Sequence, residues 1–113
     1  MNTIDDFIAL IRQKSQDRAI DALINHLQEW KTDQRTVSEL HDSMERLFGN
    51  IWIEKNEDHE RIYRLWNSFL MNKLELLGSM TINERLYVFG LMDIYDLENQ
   101  NERRTKILNK IEN

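Results

Sequence analysis

No proline interrupts this chain, and its only glycines are Gly49, Gly78 and Gly90. Proline removes a backbone donor and glycine loosens a helix. A chain of 113 residues with so few breakers reads as all-helical. The helix starts are written locally. Thr36-x-x-Glu39 and Thr81-x-x-Glu84 match the capping box, in which the Thr oxygen and the Glu carboxylate satisfy orphan backbone N–H groups. Thr3-x-x-Asp6 is a weaker version. Gly49 follows Leu47-Phe48 and Gly78 follows Leu76-Leu77, so both read as left-handed C′ stops.

Apolar spacing fills in the helices between these marks. Helices are expected over 3–14 (Ile4, Phe7, Ile8, Ile11) and 16–31 (Ile20, Leu23, Ile24, Leu27, Trp30). Others are expected over 37–48, 57–77, 82–97 and 101–112. The stretch LYVFGLMDIYDL is apolar nearly all round, so the fifth helix should be the most buried. Gly90 inside it costs about 1 kcal/mol relative to Ala, which close approach by a neighbouring helix would repay. Ile51-Trp52-Ile53 reads as an extended link or a helical turn. The expected architecture is one all-α domain spanning 1–113. It is a compact bundle of five to six antiparallel helices, with no sheet and the fifth helix central.

Function classes fall away quickly. Cysteine is absent, which excludes disulfides, thiol nucleophiles and thiolate metal sites. The start MNTIDDFIALIRQK lacks a basic region and a long apolar core, so no signal peptide is expected. The longest apolar run, Leu86 to Met92, is far short of a membrane span, and a soluble cytoplasmic protein is expected. No Gly-x-Ser-x-Gly elbow and no Gly-rich phosphate loop occurs. The three histidines form no metal motif; His26 with Glu29 and His41 with Glu45 read as helix-face pairs. No metal or cofactor is therefore expected.

Charge is distributed unevenly. The chain carries a net charge of −5. Residues 36–60 hold Glu39, Asp42, Glu45, Glu54, Glu57, Asp58 and Glu60 against only Arg46 and Lys55, which accounts for all of it. An acidic face keeps a small protein soluble and also suits a basic partner. Glu57, Asp58 and Glu60 favour a helix N-terminus by the dipole as well. A second patch, Asp93, Asp96 and Glu98, lies in a stretch without Lys or Arg. With Tyr95 it could serve acid/base chemistry or a divalent cation, although two carboxylates on one turn supply no third ligand. Arg61 and Arg64 alternate with Glu57 and Glu60, which explains them as intrahelical pairs. Arg103, Arg104, Lys106 and Lys110 make the last helix basic, but a nucleic-acid ligand is not expected of an acidic chain. That helix could dock on the core or on a second copy of the chain.

These observations favour a non-catalytic binding protein with a basic protein partner and no membrane. The expected partner-binding residues are Glu39, Asp42, Glu45, Glu54, Glu57, Asp58, Glu60, Asp93 and Asp96. In size, charge and helical class the chain resembles the small acidic immunity proteins of bacterial contact-dependent growth inhibition systems. The resemblance implies neutralisation of a toxin, such as a nuclease, by an acidic surface covering its cationic face. No motif carries it, so it assigns no residue a role. The alternative is a helical regulatory or scaffold protein acting through self-association or a hydrophobic helix face.

Overall fold

Three threonines open helices as their spacing predicts. The computed structural model describes residues 2–51 and 56–112. Thr3, Thr36 and Thr81 each accept a hydrogen bond from the backbone N–H three residues on, and the acid there bonds back. They start α1 (Ile4–Lys14), α3 (Val37–Asn50) and α5 (Ile82–Val88). Asp17 caps α2 (Arg18–Thr32) through the Ala19 N–H at 2.9 Å. α4 (Asn56–Leu76) runs into a 3-10 turn over Leu77–Ser79; α6 (Met92–Leu97) and α7 (Asn101–Lys110) follow α5. The described residues contain no strand. The expected link at Ile51-Trp52-Ile53 is described only at Ile51, where the chain leaves α3 extended.

Among the described residues, seven helices stand where five to six were expected, and Gly90 is the cause. Its φ is +70°, and a Cβ there would lie 3.0 Å from Lys31 Cε and 3.1 Å from Asp5 Oδ2. The Leu91 N–H bonds to the Leu86 carbonyl at 2.8 Å and the Gly90 N–H to that of Tyr87 at 3.1 Å. This is the paired bonding of a Schellman C-cap. The expected fifth helix is therefore two short ones. It is not the central, most buried helix: α5 buries Leu86 and Val88, and α6 buries no residue completely. The expected close approach at Gly90 does occur, but at a turn. Gly49 and Gly78 are not left-handed stops either. Gly49 lies inside α3 and Gly78 inside the 3-10 turn.

The core is instead organised around α2, whose apolar stripe Ile20, Leu23, Ile24, Leu27 and Trp30 is buried. α1 packs on α2 and on α4, and α3 packs on α2. Phe7 meets Trp66 at 5.3 Å between ring centres, and Trp30 meets Phe89 at 6.2 Å. Burying each such side chain contributes about 1.5–3 kcal/mol. The Trp30 indole N–H also donates to the Arg35 carbonyl at 2.8 Å, which holds the turn into α3.

Lys110 departs most from its sequence reading. It is not part of a basic surface; it is only 2 % exposed. Its ammonium group donates to the carbonyls of Trp30 and Asp33 and to Asp33 Oδ1, and lies 4.4 Å from the centre of the Trp30 ring. A cation at the C-terminal end of α2 is favoured by the dipole and satisfies its last carbonyls. Burial lowers the Lys110 pKa, and Asp33 opposes that shift. Burial would raise the Asp33 pKa, but hydrogen bonds from Arg35 and Lys110 outweigh it and the net shift is down.

His26 does not pair with Glu29. Its Nε2 lies 2.8 Å from Ser43 Oγ on α3 and 3.2 Å from Arg35 Nη1. Burial first, then Arg35, lowers the His26 pKa, in keeping with a neutral ring that braces α2 against α3.

Two pairs of variants test this account in urea melts. Gly90→Ala should lose about 1–2 kcal/mol, because Ala tolerates the left-handed region poorly. Gly49→Ala should gain about 0.5 kcal/mol, since no described residue lies within 4 Å of the new methyl. Lys110→Met should lose about 2 kcal/mol by leaving buried carbonyls without a donor. Lys106→Met, at an exposed position of the same helix, should stay within about 0.5 kcal/mol of the parent. Equal stability of the two lysine variants would remove Lys110 from any structural role.

Candidate functional site

α3 and α4 bring two rows of side chains face to face. Glu45, Phe48 and Gly49 share one face of α3 at i, i+3, i+4 spacing. His59 and Tyr63 share a face of α4 at i, i+4, and Glu60 and Arg64 form the adjacent row. Together these seven residues line a groove of about 370 Å³. Phe48 is its buried floor. The Tyr63 ring stands edge-on to Phe48 at 5.2 Å and 87°, and the His59 ring at 6.0 Å and 85°. Such edge-to-face contacts suit the ring quadrupoles.

Polar groups lock the walls. Tyr63 Oη donates to the Glu45 carboxylate, 3.0 Å and 2.9 Å from its two oxygens. His59 Nε2 donates to the Phe48 carbonyl at 3.0 Å, which satisfies a group near the end of α3 and fixes the ring. The hydrogen bond to Glu45 raises the Tyr63 pKa, with burial adding to it. Glu60 meets Arg64 at 3.8 Å, with both side chains largely exposed.

The nine acids of the sequence reading do not form one surface. Glu45 and Glu60 meet at the groove. Glu57 and Glu60 border an adjoining cleft with Arg61, Arg64 and Leu65. Asp42 is exposed one turn before Glu45, with Oδ1 3.2 Å from His41 Nδ1. Glu39 closes the Thr36 capping box at the far end of α3. Asp58 is half-buried and 4.0 Å from Arg61, so the pair expected between Arg61 and Glu57 forms with Asp58 instead. Glu54 lies outside the described residues. Asp93 opens onto a separate cleft with Asp5, Asp6 and Tyr87. Asp96 is exposed on α6. Glu98 does have partners, supplied by α7: Arg103 at 3.9 Å, and Arg104, which donates to its carbonyl.

Sequence reading missed Phe48, His59 and Tyr63 as groove residues. The i, i+3, i+4 and i, i+4 spacings within each row were legible. The pairing of Glu45 with Tyr63, eighteen positions apart, was not. Among the described residues, no group of three or more His, Asp or Glu side chains is placed to hold a metal ion. No helix among them is long and apolar enough to cross a membrane.

Comparison with family models, curated proteins and solved structures gives no match, so the groove is interpreted from its own chemistry.

A raised Tyr63 pKa means that its contribution to stability is intact below the ordinary tyrosine range and is lost as pH rises through the folded value. In an ultraviolet titration, Tyr63 should ionise above the ordinary tyrosine value of about 10. Glu45→Gln should bring Tyr63 back towards that ordinary value. A Tyr63 titration that is the same in the parent and in Glu45→Gln would contradict the bond.

Proposed function

We propose that this chain is a non-catalytic binding module that docks a basic protein partner along the α3–α4 edge. Its most concrete form is an immunity-type protein that covers the cationic face of a toxin, such as a nuclease. One observation carries the reading: exposed carboxylates flank a groove with aromatic walls. Asp42, Glu57 and Glu60 are exposed, and the contacts that Asp42 and Glu60 make are surface contacts of little strength. Aromatic area within a charged rim is the usual anatomy of an interface hot spot. Carboxylates around it would steer a cationic protein and disfavour an acidic one. Glu39 and Asp58 contribute less than their charge suggests, because one caps a helix and the other is half-buried.

A second reading, self-association, rests on exposed apolar side chains. Leu97 is 84 % exposed and Tyr87 60 %, with Leu76 and Ile82 also uncovered. They lie on α4, α5 and α6, not on the last helix, where such a patch was sought. Mass that rises with concentration in sedimentation would favour this reading.

Charge reversal outside the groove separates the two. Asp42→Lys with Glu57→Lys leaves the groove lining intact. As baits in the native host's lysate, the parent chain should retain a basic protein that leaves as salt rises. The double variant should bind that protein roughly 100-fold more weakly. A partner held equally by both baits, and indifferent to salt, would overturn docking by the acidic edge.

A further inference from the structure

We infer that the groove between α3 and α4 is a receptor for a single arginine side chain presented by the protein partner. The inference rests on the docking reading above and names what enters the groove. Its lining is apolar at the floor and acidic at the lip: Phe48 below, Tyr63 and His59 at the walls, Glu45 and Glu60 above. An arginine divides the same way, with an apolar stem ending in a planar cation.

The polar geometry suits a guanidinium. Tyr63 supplies one proton to Glu45 and His41 Nε2 stands 3.8 Å from its Oε1; a carboxylate has about four acceptor positions, so Glu45 keeps capacity for an incoming donor pair. Tyr63 and Phe48 hold each other edge to face at 5.2 Å, which fixes the tyrosine ring before any ligand arrives. A guanidinium stacks on an aromatic face and loses less hydration than an ammonium, which favours arginine over lysine. Among the described residues, nothing lies within 4 Å of a Cβ built on Gly49. Arg64 at the lip is 80 % exposed and only loosely held by Glu60 at 3.8 Å. An incoming arginine therefore competes with a weak surface pair, not with a buried one.

The test uses the full chain and N-acetyl-arginine amide, followed by amide and aromatic NMR. N-acetyl-citrulline amide serves as the neutral isostere. Arginine amide should shift the resonances of Phe48, His59 and Tyr63 in a saturable way, and citrulline amide should shift them at least about tenfold less at equal concentration. Glu45→Gln keeps an acceptor for Tyr63 and should keep the fold, yet weaken arginine binding by about tenfold. Glu60→Gln should weaken it by less. Equal response to citrulline, shifts centred elsewhere, or unchanged binding in Glu45→Gln would each overturn the inference. The two readings fail separately. If Asp42→Lys/Glu57→Lys loses the protein partner while the groove ignores arginine, edge docking stands and the arginine receptor falls. If the groove takes arginine but the reversed bait keeps its partner, the receptor stands and the edge reading falls.

Discussion

A lysine ammonium inside the molecule decides how the C-terminal helix meets the end of α2. Lys110 reaches the last turn of α2 across 80 positions of sequence to donate to the Trp30 carbonyl. Removing a cation from water is expensive, and the pair it forms with Asp33 does not by itself offset that cost. Three acceptors, the negative end of a helix and the Trp30 ring together make the site tolerable. The same contacts satisfy α2 carbonyls that would otherwise lack donors. Asp33 is shared, because it also accepts from the Arg35 backbone and side chain. One carboxylate thus ties the α2–α3 turn to the C-terminal helix.

The site depends on that turn. Trp30 holds it from below through the Arg35 carbonyl, while His26 and Ser43 brace α2 against α3 halfway along. With α3 fixed on α2, and α1 packed on both α2 and α4, the spacing between α3 and α4 is set by the core. The groove is then lined by side chains of packed helices. This matters for recognition, because a preformed site loses little conformational entropy on binding. Tyr63 is held at both ends, by Phe48 at its ring and by Glu45 at its hydroxyl.

What was legible in the sequence was local, and what was not legible was long-range. Capping boxes act over three residues, so Thr3, Thr36 and Thr81 announced their helices correctly. The i, i+4 pairs His41–Glu45 and Glu60–Arg64 were equally readable. Gly90 was misread because an apolar stretch looks the same whether one helix or two bury it. Only the approach of Asp5 and Lys31 from other helices distinguishes a C-cap from a helix interior. Lys110 was misread because its acceptors lie on another helix. Spacing within α7 places it among surface bases. The acid count was sound, but charge in sequence is not always free charge on a surface: Asp58 is half-buried on α4, and Glu39, though exposed, is engaged in a cap.

The lysine clamp lies beyond the N-terminal end of α3, and the groove lies towards its C-terminal end. Its fourteen residues span roughly 20 Å at a helical rise of about 1.5 Å each. Charges in water are largely screened beyond about 8 Å at physiological salt. Reversing Glu60 at the groove therefore leaves the ammonium beyond the other end nearly untouched, and their energetic effects should add. A chain built this way can alter the charge pattern it offers a partner without loosening the contact that closes its fold. The groove floor has no such freedom. Phe48 is both the surface a ligand would meet and a member of the core, so its size is fixed by packing whatever binds above it.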